Sequence, residues 1–452
     1  MLEKNQLHDV EITAITSEGS GVCRVDNMAI FVPETAVGDI VRIKIVKVLK
    51  SYAFGIVSEI LTPSADREER PCTAYHKCGG CVFRHLSYRA ECNAKNTMIK
   101  DAFSRIGGLD PEYDDFIAAE NSDRYRNKAQ YPLAYIDGKA VCGFYAPRSH
   151  RVIPLTDCPL QPQIFGRILE FVLAYINVKK LSVYDEKSNT GILRHIYIRQ
   201  GAYSNEIMLC IVARKNISRQ LNSLCSKIVE KFPDIRSIVL NINRNKTNVI
   251  LGKQCITLWG SDLISDTMCG NKIEISPLSF YQINTRQAEK LYSKALEYAS
   301  PAPSDVIADL YCGAGTIGLS MAHKVNKLIG IEIIPSAIEN AKKNAVNNHI
   351  GNADFYCGDA GKIFAELYTQ GLKPDIIIVD PPRKGCSEDT LTAILNSSPS
   401  KIVMISCNPS TAARDAKFLS QHGYSINKVC GADLFPGTRH VECVVLMSKD
   451  KE

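Results

Sequence analysis

The sequence predicts a chain of three units. Residues 1–60 read as a small β-barrel of the oligonucleotide-binding type, 61–275 as an α+β middle domain, and 276–452 as a doubly wound, Rossmann-like α/β domain. Three observations carry this. Short strand-like runs separated by glycine turns crowd the first segment. Strand and helix patterns mix without strict alternation in the second. From Ser276 onward apolar strand runs alternate with helical patterns, the order of a parallel sheet with covering helices. A length of 452 residues suits about three domains of roughly 150 residues each.

Composition narrows the class. The hydrophobic fraction is 45% and the charged fraction 23%, which excludes a disordered chain. Apolar runs such as Ile376–Val379 fall far short of the roughly 18 residues a membrane helix needs. The start, Met1-Leu2-Glu3-Lys4-Asn5-Gln6, has no basic stretch followed by an apolar core, so no secretory signal is visible and a cytoplasmic location is expected. The 17 cysteines are odd in number and widely spread. In a reducing compartment they are metal ligands, nucleophiles or core fillers rather than a disulfide framework. A net charge of +6 does not identify a nucleic-acid partner by itself.

In the first unit, Val10–Ile15 and Ile40–Val48 are strand-like, and Ser17-Glu18-Gly19-Ser20-Gly21 and Gly38-Asp39 punctuate them. Five such strands suit the barrel. Leu61–Asp66 reads as a linker. Residues 71–100 then hold Lys77, Arg84, Arg89, Lys95 and Lys100 against Glu91 alone. Asn93–Ile106 has helical spacing and stops at Gly107-Gly108. The middle domain continues with strands at Val152–Leu155, Arg194–Arg199, Ile207–Val212, Ser237–Asn243 and Asn248–Leu251, and helices at Ile164–Ile176 and Leu221–Lys231. In the last unit the strands are Asp305–Leu310, Lys327–Glu332, Ile376–Asp380 and Ile402–Ser406, with a helix at Pro335–Asn347.

The first strand of that unit runs into Asp309-Leu310-Tyr311-Cys312-Gly313-Ala314-Gly315-Thr316-Ile317-Gly318. Its glycines match a nucleotide-binding turn, where a ligand approaches bare backbone. Glu332 ends the second strand, where a carboxylate accepts hydrogen bonds from a ribose. These features leave a nicotinamide cofactor and S-adenosylmethionine both open. The fourth strand ends in Asp380-Pro381-Pro382-Arg383-Lys384-Gly385. The two prolines fix the Asp380 carboxylate at the ligand-facing edge.

Two further residues decide between the cofactors. Cys407 follows the strand Lys401–Ile405 and sits on a turn at the same edge. A thiol there is a candidate nucleophile, against the alternative of a packing cysteine. Glu442 stands at the mouth of the apolar strand Val441–Met447, where burial raises a carboxyl pKa and makes a better base. The alternatives are a salt bridge to Arg439 or a solvated strand start. Together the parts suit methylation of uracil carbon 5. A thiolate adds to carbon 6, carbon 5 attacks an activated methyl, a base removes the carbon 5 proton, and the thiol leaves. A nicotinamide enzyme needs none of this cysteine chemistry.

A separate cluster, Cys72-x5-Cys78-x2-Cys81, has compact metal-ligand spacing, and Cys158 in Asp157-Cys158-Pro159 is the candidate fourth ligand. Four thiolates suit zinc or a 4Fe–4S cluster. Three local ligands and one distant one favour iron–sulfur.

These motifs resemble the bacterial RNA 5-methyluridine methyltransferases over nearly the whole chain. Gly21-Val22, Ile30-Phe31-Val32-Pro33 and Gly38-Asp39-Ile40-Val41 look like a TRAM barrel. Tyr125–Pro132, Gly191–His195 and Ser276–Asn284 match stretches of the middle and catalytic domains. The resemblance implies that Gln282, Tyr311, Glu332 and Asp380 hold S-adenosylmethionine, with Asp359 a further contact. It implies Cys407 as nucleophile, Glu442 as general base, and Cys72, Cys78, Cys81 and Cys158 as 4Fe–4S ligands. It also implies that residues 91–123 pack on the catalytic domain. The sequence departs from the family at Arg89-Ala90-Glu91, which lacks a frequent glutamine, and at Thr316, where some members carry asparagine. The tRNA-specific branch generally lacks barrel and cluster, so the implied substrate is large-subunit ribosomal RNA. No membrane and no obligate protein partner are implied. The barrel and residues 71–100 are the expected RNA-holding surfaces.

Overall fold

Alternation along Ile40–Val48 turns Val41, Ile43 and Ile45 inward, where they meet Ile12, Cys23, Ile30, Val32 and Ala53 in one core. The computed structural model describes residues 2–450. The strands of this first unit are β1 (Leu7–Glu11), β2 (Ala14–Ile15), β3 (Ser20–Val25), β4 (Met28–Pro33), β5 (Ile40–Val48) and β6 (Tyr52–Thr62). Their order is β1-β5-β6-β4-β3-β2. β1 and β2 lie at opposite edges yet are joined by Ile12 and Thr13 alone, so one bent strand closes the sheet. Gly21 leaves room at the closure: a Cβ there would collide with Thr35 Oγ1 and meet the Ile12 side chain at 2.8 Å. The result is a five-stranded barrel of the oligonucleotide-binding type.

The first helix, α1 (Tyr88–Asp101), starts earlier than its spacing predicts, because Ser87 accepts a hydrogen bond from the Ala90 N–H and caps it. It widens into a π turn at Ala102–Gly107. Ile99, Ala102 and Phe103 are buried against the catalytic sheet. β7 (Glu112–Tyr113) joins that sheet's edge.

The middle domain is one seven-stranded sheet. It comprises β8 (Lys128–Ile136), β9 (Lys139–Tyr145), β10 (Val152–Pro154), β11 (Leu193–Gln200), β12 (Ile207–Ala213), β13 (Ile235–Ile242) and β14 (Gln254–Gly260). The order is β10-β9-β8-β11-β12-β13-β14. Helices α2 (Gln163–Val178) and α3 (Ser218–Lys231) cover one face. The other face shares a core with the catalytic domain through Tyr197, Met208 and Val239. Asn248–Leu251 is not a strand. Its backbone is satisfied by side chains instead of a ladder: the Asn243 amide donates to the Val249 and Ile250 carbonyls at 2.7 and 3.0 Å, and the Asn241 side chain brackets Gly252 at 2.7 and 2.8 Å.

A hairpin, β15 (Ile264–Met268) and β16 (Asn271–Ile275), leads into α4 (Thr285–Ala299). The last unit then alternates: β17 (Val306–Leu310), α5 (Thr316–Met321), β18 (Lys327–Glu332), α6 (Pro335–Asn347), β19 (Ala353–Cys357), α7 (Ala360–Thr369), β20 (Ile376–Val379), α8 (Glu388–Ser397), β21 (Lys401–Ser406), α9 (Pro409–Ser420), β22 (Tyr424–Ala432) and β23 (Glu442–Lys449). The sheet order is β19-β18-β17-β20-β21-β23-β22-β7. β17 to β21 are parallel and β23 is antiparallel to β21. The start of β23 therefore lies at the same edge as the ends of the parallel strands. Order reverses between β17 and β20, where a ligand crevice forms. No helix among the described residues is long and apolar enough to cross a membrane.

Candidate active site

The crevice is built from strand ends. Tyr311 leaves β17 with φ 70°, and Gly313 and Gly315 follow at 56° and 78°. Around Gly313 no atom comes within 4 Å of a built Cβ, so the turn faces open space. The Glu332 carboxylate at the end of β18 accepts the Gly313 N–H at 3.2 Å and the Ile334 N–H at 2.9 Å. It thus braces the glycine turn. Buried Asp309 accepts the Gly318 N–H at 2.9 Å and ties α5 back to its strand.

The other candidate contacts have different surroundings. The Tyr311 hydroxyl lies 2.9 Å from Thr390 Oγ1. Gln282 donates to the Tyr292 hydroxyl at 3.2 Å. Asp359 caps α7 by accepting the Lys362 N–H at 3.2 Å, so one of its oxygens is committed to the helix. Asp380 directly follows β20, and loss of water in the crevice pushes its pKa up to about 7. Asp309 rises to about 7 for the same reason, with further push from Asp380 and Glu332.

Cys407 directly follows β21 and Glu442 opens β23. Ser406 pairs with Cys443 in the β21–β23 ladder, so Cys407 and Glu442 occupy the next register position. Burial pushes the Cys407 thiol up to about 11; the charges of Glu442 and Asp380 add to this, and Arg383 opposes it. Burial and the Asp380 charge also hold Glu442 well above the usual carboxylate range. Glu442 is 6% exposed, so it is not a solvated strand start. Arg439 pairs with Glu18 of the barrel rather than with Glu442.

Sequence reasoning missed four residues here. Arg383 stands in the quoted Asp380–Gly385 run yet carried no assignment; its Nη2 lies 3.2 Å from His440 Nδ1. Arg383, His440 and the barrel residues Ser17 and Glu18 all line the pocket over Cys407. Nothing local in the sequence signals that the barrel reaches this pocket.

The other cysteine set gathers elsewhere. Cys72, Cys78, Cys81 and Cys158 line one cavity of about 300 Å³, together with Arg84, Arg126 and Lys128. Among the described residues no three His, Cys, Asp or Glu side chains stand close enough to hold a single metal ion. A lone zinc draws its sulfurs to about 2.3 Å from itself. Four thiols on one cavity wall are a donor set whose chemistry suits zinc or an iron–sulfur group alike.

Comparison with known proteins follows the same division. The profile described as tRNA (Uracil-5-)-methyltransferase matches residues 87–450. The chain belongs to this family. A TRAM domain profile matches residues 2–58. An uncharacterized RNA methyltransferase of Clostridium tetani is 43% identical, covering 99% of this chain and 97% of the relative. One from Bacillus cereus is 40% identical, covering 99% and 98%. Among solved structures, the tRNA (uracil-54, C5)-methyltransferase of Pyrococcus abyssi, in complex with S-adenosyl-L-homocysteine, is similar at TM-score 0.77 and 26% identity, covering 97% of this chain and all of that one. Like other members of the uracil-5-methyltransferase family, this chain is an RNA methyltransferase.

Proposed function

We propose that this enzyme methylates carbon 5 of uridine in large-subunit ribosomal RNA, with S-adenosylmethionine as methyl donor and Cys407 and Glu442 as the reacting side chains. The observation that carries the reading is the register of Cys407 beside Glu442, at the sheet edge shared with Asp380 and the glycine turn. Bound S-adenosylmethionine supplies an electrophilic methyl. Gln282, Tyr311, Glu332 and Asp380 would hold it, and Asp359 is the most peripheral of the proposed contacts. Elevated acids at this edge suit a cationic ligand, which favours their ionised forms.

The chain's own residues perform the rest. The Cys407 thiol gives its proton to solvent, helped by the Arg383 charge; the thiolate forms a bond to uracil carbon 6, and the electron pair of the 5,6 double bond makes carbon 5 nucleophilic. After methyl transfer Glu442 takes the proton from carbon 5. The electron pair of that C–H bond restores the double bond, and the thiolate leaves. A base in a helix is out of reach of this recessed edge, so the uridine is splayed from a loop.

Cys72, Cys78, Cys81 and Cys158, which line one cavity, would hold a 4Fe–4S cluster. Such a cluster would tie residues 72–81 to Cys158; methyl transfer does not pass through it. The reading places the enzyme in the cytoplasm, where ribosomal RNA is modified. A second substrate, tRNA, is favoured by one observation: the Pyrococcus abyssi enzyme matches 97% of this chain, barrel included, and its name assigns it tRNA. A barrel alone therefore does not separate the two substrates.

The test is methyl transfer from labelled S-adenosylmethionine to protein-free large-subunit ribosomal RNA and to tRNA, with tritium release from uridine carbon 5 read in parallel. Methyl gain with matching tritium loss on ribosomal RNA is expected. Transfer to tRNA alone would select the second substrate, and transfer without tritium loss would remove the carbon 5 chemistry.

A further inference from the structure

The barrel forms one wall of the reaction pocket. Over Cys407 lies a pocket of about 300 Å³, with Ser17 and Glu18 of the β2–β3 turn on one side and Arg383, Arg439 and His440 on the other. The turn is firmly placed. Its Gly19 has φ 83°, and a Cβ there would meet Val82 at 2.9 Å and the ring of Phe83 at 3.4 Å. Phe83 is fully buried in a small core with Ala36, Leu86 and Ala90 that joins barrel to cysteine segment. Asp39 and Arg67 pair at 2.7 Å, and His85 Nε2 meets the Thr35 carbonyl at 3.1 Å across the same junction.

Charge around the pocket is lopsided. Among the described residues lining it, Glu18 is the one acid, facing Arg383 and Arg439. Burial, followed by Arg383, Arg439 and then Lys95 and Arg126, pushes His440 down to about 4, so it stays neutral and adds no compensating charge. Glu18 pairs with Arg439, and the two side chains are 67% and 45% exposed. A pair this open to water contributes little and exchanges readily. A uridine seated over Cys407 carries its own phosphates to this rim. Those phosphates need a cation, and the one acid at the rim among the described residues already occupies one.

We propose that Arg439 is a binding site for a phosphodiester of the substrate RNA beside the target uridine, and that Glu18 is its placeholder in the free enzyme. The inference rests on the RNA methylation reading above. RNA that seats a phosphate on Arg439 releases Glu18 and frees the barrel side of the pocket mouth. RNA that does not leaves the rim closed by its own ion pair. The barrel turn thereby contributes to substrate selection and not to affinity alone.

A double-mutant cycle tests this. Filter binding of protein-free large-subunit ribosomal RNA, and separately of tRNA, is measured over a salt series for the full-length wild type, Glu18→Gln, Arg439→Gln and the double variant. Glu18→Gln should tighten binding about two- to fivefold, the range set by an exposed ion pair. Arg439→Gln should weaken binding and lower the salt slope by about one, the signature of a lost phosphate contact. In the double variant the Glu18→Gln gain should vanish, because nothing remains to be freed. A gain of equal size without Arg439 would reduce Glu18 to a general repulsive charge and overturn the inference. Wild-type binding with no gain in Glu18→Gln would also overturn it, while leaving RNA methylation intact. A wild type that binds neither RNA overturns both proposed substrates and this inference with them.

Discussion

Two sets of acids, Asp433 with Glu91 and Glu442 with Asp380, live in opposite surroundings. Asp433 accepts Lys95 Nζ at 2.8 Å, the Tyr88 hydroxyl at 3.1 Å and the Phe435 N–H at 3.0 Å. Lys95 also reaches Glu91 at 2.7 Å and the Phe435 carbonyl at 3.2 Å. Glu91 in turn pairs with Arg70 at 3.1 Å and accepts the Gly437 N–H at 2.5 Å. Val82 and Phe83 donate to the Gly437 carbonyl at 2.9 and 3.1 Å. Every charge in this set has a partner, and the set pins the loop before β23 to α1 and the cysteine segment. Glu442 and Asp380, by contrast, receive no side-chain hydrogen bond or ion pair among the described residues; burial pushes both up, as it does Glu91, but no cation is paired with either. Compensated buried charge holds shape, whereas uncompensated buried charge stays ready for a cation or a proton.

The sharpest way to test the second half of that contrast is to remove its reacting groups. Cys407→Ala should lower turnover by at least about 10⁴-fold, as loss of an essential nucleophile does. It should also abolish the covalent RNA adduct on denaturing gels, while calorimetry shows cofactor binding largely intact. Retained turnover would take Cys407 out of the reaction. Glu442→Gln should lower turnover by about 10²–10⁴-fold, the range for a general base. Here the adduct should form and persist, because proton removal precedes release. A Glu442 variant that never forms adduct would contradict the assignment.

The first half of the contrast predicts stability instead of chemistry. Lys95→Met leaves Glu91 and Asp433 buried beside each other with their shared cation gone. Breaking such a set costs about 3–5 kcal/mol, read as a lower urea midpoint. Adding Asp433→Asn should recover part of that loss, since the amide needs no cation while Glu91 keeps its pair with Arg70. Failure of this double variant to recover any of it would mean that Lys95 acts through packing of its stem. If the folded Lys95→Met protein still forms adduct but releases it slowly, the loop's hold on Glu442 is the cause.

What was readable in the sequence follows the range of the interactions. Strand ends carrying Glu332, Asp380 and Cys407 stand out because apolar runs stop at a polar residue. The glycine turn is legible because positive φ at Gly313 and Gly315 demands that residue type. The barrel shows in its alternation, but its closure through Ile12 and Thr13 does not, since a bend between two short strands leaves no pattern. The early start of α1 was lost because Ser87 sits beyond the periodic run that marks the helix. Asn248–Leu251 misled because its apolar residues look like a strand while Asn241 and Asn243, upstream, take over its backbone. Illegible throughout are the pairs formed across the whole chain: Glu18 with Arg439, and Lys95 with Asp433. Glu18, Arg439 and Asp433 have no local partner to mark their places, and Lys95 shows only Glu91 one helical turn before it.

The smallest expected effect is a pH dependence set by Asp380. Asp380 has an ordinary value of 3.8 and rises to about 7 in the folded protein. A raised carboxyl pKa means the folded state holds a proton the unfolded chain has lost. The stability of the unliganded enzyme should therefore fall as pH rises from about 4 to about 7, and level off above that, through this group. A sulfonium beside Asp380 reverses the balance, since it favours the carboxylate. The affinity for S-adenosylmethionine relative to neutral S-adenosylhomocysteine should rise with pH through about 7, by less than about tenfold, in calorimetric titrations. Asp380→Asn should flatten that ratio and leave the Lys95 set untouched. A ratio independent of pH in the wild type would show that Asp380 does not face the sulfonium, and would move the charge recognition to Glu332 or to the backbone of the glycine turn.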